Sequence, residues 1–373
     1  MSGIYIHIPF CQSKCDYCNF FSLATTHHRD KIAKAISMEA RQRKMYLGDS
    51  VIKTVYFGGG TPSLLPVGDI ELIMNELSLI FPIDSDAEVT LEANPNDLTE
   101  DKLTAFKRAG INRLSIGVQS FLNDDLVFLN RTHDATQSER SIELALKAGF
   151  ENISIDLIFG LPDQEIAAFV KNLEIFHRYG IPHLSAYALT VEPGTALAWK
   201  IEKNRKKPVS EDTQADHFLM LMDCMEEKGY LQYEISNFCL PGFESKHNSS
   251  YWNNEKYLGL GPSAHSFDGI SRQWNIANLS RYLEAVNSGQ TAFEKEILTM
   301  EQHREEYLMT KIRTDQGIDL RIYEERFGSD EYKKLLKAAE SFLQRGWLNS
   351  GERNLYLSRR GKLFTDHITA ALF

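Results

Sequence analysis

Three cysteines fall within eight residues, Cys11, Cys15 and Cys18, spaced C-x3-C-x2-C. Thiolates this close on a loop can ligate one metal centre together. Zinc would want a fourth ligand, which His27 or His28 could supply. A [4Fe–4S] cluster usually takes four Cys. Held by three, it keeps an open position on one iron, as Lewis-acid or redox chemistry on a bound ligand requires. Of the other two cysteines, Cys224 reads as core on the apolar face of a helix, and Cys239 has no assigned role. Five cysteines with three crowded together fit a reduced compartment better than a secreted disulfide framework.

Other chemistry-bearing residues lie further along. Phe57-Gly58-Gly59-Gly60-Thr61-Pro62 is a turn whose glycines let backbone groups approach a small polar ligand. Glu92, in Thr90-Leu91-Glu92-Ala93-Asn94-Pro95, could take a cationic amino group. Gln119 could bond hydroxyl or carboxylate oxygens, and Arg131 could hold a carboxylate in a fork. Asp156 sits inside the apolar run Ile153–Ile158, where a carboxylate needs a partner. Tyr187 could line an aromatic ring.

The elements that must position these groups are legible as repeats of strand and helix. Short β-branched runs recur at 4–8, 54–57, 88–91, 113–117, 153–158 and 184–189. Between them, apolar residues return at helical spacing, as in Ile70, Ile73, Met74, Leu77 and Ile80. Six such units predict a parallel sheet with right-handed crossovers, either a partial (β/α)6 barrel or an open doubly wound sheet. Cysteines directly after the first strand then stand where parallel barrels carry their sites. After about residue 200 the pattern changes. Residues 230–290 show no clean period and read as a loop-rich segment packed on the barrel. Helices are expected over 300–313, 319–327 and 331–345, followed by a hairpin, a winged-helix-like arrangement. The expected organisation is a barrel over 1–200, an extension over 201–295 and a small, mostly helical domain over 296–373.

Composition narrows the class. The 373 residues are 43% hydrophobic and 25% charged, an ordinary mix for a chain that buries a core. The net charge of −10 argues against nucleic acid held by a broad basic surface. The last domain carries thirteen basic against twelve acidic residues over 300–373, which argues against DNA binding there too. No apolar run approaches the roughly 18 residues needed to span a bilayer. The first residues lack a signal peptide's charged and apolar regions. A cytoplasmic protein, at most peripheral to a membrane, is expected.

The cysteine motif with an aromatic before its last Cys resembles the signature of the radical S-adenosylmethionine (SAM) superfamily. The resemblance implies a partial (β/α)6 TIM-like barrel whose open iron chelates the amino and carboxylate groups of SAM, for cleavage to an adenosyl radical. It also implies SAM contacts from Tyr5, Gly59, Gly60, Thr61, Glu92, Gln119, Arg131, Asp156 and Tyr187. Together the motifs resemble the branch that contains the oxygen-independent coproporphyrinogen III dehydrogenases and a group of heme chaperones. The match runs from Tyr5 to about Phe267, with the C-terminal domain also present. The dehydrogenases carry an additional Cys where this chain has Phe20, and a long arm before the cluster, where ten residues precede Cys11 here.

His247-Asn248-Ser249-Ser250-Tyr251-Trp252 matches the H-N-x-x-Y-W motif of the chaperones. A neutral imidazole suits heme iron and the neighbouring aromatics a porphyrin face, so His247, Asn248, Tyr251 and Trp252 are the expected heme site. The Gly-rich turn Gly259–Ser266 is expected to close over the site. The implied function is a heme chaperone that hands heme to apo-hemoproteins, among them respiratory ones at the membrane, with a reductant serving the cluster. A homodimer is compatible with the sequence. The alternatives are coproporphyrinogen III decarboxylation and radical SAM chemistry, including methyl transfer, on another substrate.

Overall fold

A computed structural model describes residues 2–25, 27–290 and 292–373. Six parallel strands follow one another in sequence and in space: β1 (Ser2–Ile8), β2 (Ile52–Gly59), β3 (Ile83–Ala93), β4 (Arg113–Gln119), β5 (Asn152–Phe159) and β6 (His183–Ala188). A doubly wound sheet reverses its strand order about a switch point. This one runs β1-β2-β3-β4-β5-β6 without reversal, which selects the partial barrel. Crossover helices at Arg29–Gln42, Val67–Ile80, Glu100–Arg108, Ala135–Lys147 and Ile166–Arg178 cover the outer face. The strands alternate: Ile4, Ile6, Ile8, Val55, Phe57, Leu91 and Ile155 join one continuous core, while the residues between them, such as Thr54, Tyr56, Glu92, Ser115 and Asp156, are polar.

Residues 230–290 depart from the loop-rich expectation. They lengthen the sheet at both edges. β7 (Leu231–Glu234) and β8 (Asn237–Cys239) extend it antiparallel beyond β6. On the other side β9 (Lys256–Leu260) pairs parallel with β1, followed by β10 (His265–Phe267), β11 (Ser271–Asn275) and β12 (Phe293–Ile297). The result is an open sheet of twelve strands among the described residues. Strands of three to five residues are too short to show a period, which is why the sequence pattern misses them.

The C-terminal part has its own core around Leu308, Ile312, Tyr323, Leu335, Phe342 and Leu355. Helices Met300–Lys311, Leu320–Phe327 and Ser329–Gln344 stand close to the expected bounds. β13 (Ile318–Asp319), β14 (Leu348–Ser350) and β15 (Asn354–Leu357) form a small sheet in the order β13-β15-β14. A last helix, Thr365–Leu372, packs Ile368 and Leu372 into this core. No described helix is long and apolar enough to cross a membrane.

Candidate functional site

The parallel register places the C-terminal ends of the strands side by side: Ile8 faces Gly59 across β1 and β2, and Ile158 faces Tyr187 across β5 and β6. The cysteines occupy the loop that leaves β1. Its two arms are zipped where the Cys11 N–H donates to the Leu23 carbonyl (3.1 Å) and the Leu23 N–H to that of Pro9 (2.7 Å). Its tip is held by Asp16, a buried carboxylate that accepts from Lys200 Nζ at 2.6 Å and Lys206 Nζ at 2.7 Å. The Asp16 carbonyl also accepts from the Leu197 N–H (2.8 Å), so the segment 196–206 clamps the cysteine loop from outside the barrel.

The three thiols are free and line one cavity of about 580 Å³ at the barrel mouth. Gly59, Gly60, Thr61, Glu92, Gln119, Arg131, Asp156 and Tyr187 line the same cavity. Eight of the nine residues expected to contact SAM therefore come together there. Tyr5 does not: its hydroxyl lies 3.2 Å from His7 Nδ1, and its ring lies beside the Tyr56 and His247 pair, 6.1 and 6.3 Å from their rings. The glycines have a steric reason. A Cβ on Gly60 would lie 2.6 Å from the Phe10 carbonyl oxygen, and one on Gly59, at φ +109°, 2.6 Å from the His7 ring.

Donors converge on the sulfurs. Arg131 Nη1 lies 3.2 Å from Cys15 Sγ, and Thr61 Oγ1 lies 3.5 Å from Cys11 Sγ. Burial, then the neighbouring Cys15 and Cys11, push the Cys18 thiol up, as crowded sulfurs without a cation must. Among the described residues, no three Cys, His, Asp or Glu side chains converge as they would around a single ion. His27 and His28, the fourth ligands a zinc site would draw on, lie outside the cavity lining. Three cysteines lining one cavity, with Arg131 and Thr61 donating to two of their sulfurs, are a donor set that suits a cluster with one iron left open. Arg131 is less free than the carboxylate fork requires. Its Nη2 donates to Asn94 Oδ1 and to the Gly117 carbonyl (2.8 Å), leaving Nε buried without a hydrogen-bond partner. As placed, it steadies Cys15 and presents one unused N–H.

Two carboxylates at the cavity wall are held uncomfortably. Burial, with like-charged Asp156 nearby, raises Glu92 to about 7, although it accepts from Tyr56 Oη (2.9 Å) and the Gly59 N–H (3.1 Å). Burial raises Asp156 to about 6, although Ser115 Oγ donates to it at 3.1 Å. Each would gain from a ligand partner, an ammonium for Glu92 and hydroxyls for Asp156.

The H-N-x-x-Y-W motif lies elsewhere, away from the cysteine-lined cavity. The helix Lys246–Trp252 enters the barrel from below, its first N–H groups capped by Glu88 of β3: Lys246 N to Oε2 (3.1 Å) and His247 N to Oε1 (3.0 Å). His247 is 1% exposed. Its Nδ1 pairs with Thr54 Oγ1 (2.8 Å), its Nε2 with Tyr251 Oη (2.9 Å), and its ring stacks 4.9 Å from Tyr56. Burial, then Arg113, lowers its pKa to about 3. Both ring nitrogens are spent inside the barrel floor, so His247 offers iron no lone pair in this conformation. Tyr251 packs edge-on to Tyr257, and the Asn248 N–H caps onto Ser245 Oγ (3.3 Å). Trp252 Nε1 is buried without a partner.

Sequence reasoning missed Asp16, Lys200, Lys206, Tyr56 and Asn94. Asn94 stands in a quoted strand end, but nothing in the pattern ties Lys200 or Lys206 to a loop some 185 residues earlier.

A partial barrel with three thiolates on its first loop and a polar cavity at its mouth defines the radical SAM class. The model of that superfamily matches residues 5–176, and the HemN C-terminal domain matches residues 298–364. The fold is similar to that of coproporphyrinogen III oxidase (HemN) from Escherichia coli, with a TM-score of 0.86 and 23% identity, covering 100% of this chain and 89% of that one. Over 374 residues the sequence is 33% identical to the heme chaperone HemW of Bacillus subtilis, covering 100% of this chain and 99% of the relative. It is 36% identical to the heme chaperone HemW of Escherichia coli over 70% of this chain and 69% of the relative. The chain belongs to the HemW family of the radical SAM superfamily. Membership implies a [4Fe–4S] cluster and SAM.

Proposed function

We propose that this protein is a heme chaperone, binding heme and delivering it to apo-hemoproteins. The observation that carries the reading is the match to chaperones of that name along essentially the whole chain. One residue supports it against porphyrinogen decarboxylation. The position of the dehydrogenases' additional cysteine holds Phe20, 69% exposed on the cavity lining.

In this reading Cys11, Cys15 and Cys18 hold the cluster and an external reductant serves it. The bound cluster and SAM supply one-electron chemistry at the barrel mouth. Glu92 receives the SAM ammonium, Asp156 the ribose hydroxyls, and Gly59 and Gly60 let the backbone come close. Arg131 and Thr61 donate to the sulfurs, while Asp16 with its two lysines keeps the loop closed. The heme acceptors are respiratory hemoproteins, met at the membrane surface.

The test is a pair of assays on anaerobically reconstituted protein, one with heme and one with coproporphyrinogen III, SAM and reductant. The expected result is stoichiometric heme binding with the porphyrinogen left intact. Loss of porphyrinogen coupled to 5′-deoxyadenosine formation would overturn the chaperone reading in favour of the decarboxylase.

A further inference from the structure

A second groove, of about 520 Å³, opens where the rim of the barrel meets the C-terminal domain. It shares Tyr187, Ala188 and Thr190 with the cysteine-lined cavity, so the two spaces have a common wall. One side is apolar, with Phe159, Phe218, Leu363 and Phe364. Phe364 is stacked 4.1 Å from Trp347, which fixes it as a flat surface.

The polar groups are unevenly matched. Arg313 is satisfied: it pairs with Asp366 and donates to the Met309 carbonyl (2.9 Å). Lys362, half-buried, donates to the neutral Gln232 Oε1 (2.7 Å); burial lowers its pKa, and the carboxylates of Asp315, Glu226 and Glu234 act against that. Glu211 and Asp366 are the acidic groups on the lining, and Asp366 is already paired. His367 is exposed at the edge, braced edge-on against Phe342 (5.8 Å) and Trp347 (6.4 Å). His247 and His183, by contrast, have both ring nitrogens occupied in the core.

An apolar wall, a half-buried amine whose hydrogen bond goes to a neutral amide and an accessible imidazole on one groove are the features an iron porphyrin bearing carboxylates would use. We propose that this groove is the heme site, with His367 as the axial ligand and Lys362 pairing one propionate. The assignment rests on the chaperone reading and replaces His247 as the ligand. A single imidazole at an exposed edge also suits a carrier, because the iron's other face stays open to an incoming ligand from the acceptor.

The experiment titrates heme into the cluster-loaded full chain and into its His367→Ala and Lys362→Gln variants, following the Soret band and the EPR of ferric heme. His367→Ala is expected to lose the imidazole-ligated spectrum and to bind roughly tenfold or more weakly. Lys362→Gln is expected to weaken binding about tenfold with the ligation spectrum kept, because it removes a charge-assisted contact remote from iron. Iron and sulfide content serve as the folding control for both variants. If the wild type binds heme and His367→Ala gives the same spectrum and affinity, the groove assignment falls while the chaperone reading stands. If the wild type binds no heme, the chaperone reading itself falls.

Discussion

Glu92, half-buried at the cavity wall, and His247, buried in the same barrel, behave oppositely. Glu92 has two donors but still sits near pKa 7, so it must lose a proton to pair with an ammonium. SAM affinity should therefore rise as pH increases through 7 and level off above it. Below 7 the dissociation constant should grow by at most about tenfold per pH unit. Isothermal titration across pH 6–8 checks this, and Glu92→Gln should flatten the slope. His247 is fully satisfied. Replacing it with Ala leaves Thr54 and Tyr251 without their partner and should cost about 2–4 kcal/mol in urea unfolding. Heme titration of the folded variant should be unchanged. A weakened titration with unaltered stability would restore His247 to the heme site. The difference between these residues was not legible in the sequence. A motif gives residue types and spacing, but whether a His faces a ligand or a neighbouring hydroxyl depends on which strand it packs beneath.

At the scale of elements, the cysteine loop depends on a segment far away in the chain. Lys200 and Lys206 neutralise Asp16, and the Leu197 N–H bonds its carbonyl. Asp16→Asn leaves two amines facing a neutral amide. Because the Lys200 side chain is about a third exposed, solvent screens part of the loss, and about 1–2 kcal/mol is expected. Iron should leave the Asp16→Asn protein faster on anaerobic gel filtration, while overall melting shifts little. Equal iron retention would show that the clamp does not hold the loop. The six barrel strands were legible because short runs with apolar residues at alternate positions recur between helical stripes. β7 through β12 were not, since three to five residues beside aromatics and Gly carry no measurable period.

For the whole molecule, strand order decided between architectures that periodicity could not separate, and it brought eight of nine expected contacts to a single cavity. What no local pattern contained was the seam between the barrel rim and the C-terminal domain, because its groove draws on residues from 159 to 367. The account stands on three thiolates holding a cluster with one iron left for SAM. The most direct measurement is the EPR spectrum of the reduced, reconstituted protein with and without SAM, alongside metal analysis. The account predicts about four irons per chain, no zinc, and a signal that changes when SAM is added. A zinc-loaded or iron-free protein, or a cluster signal indifferent to SAM, would contradict it.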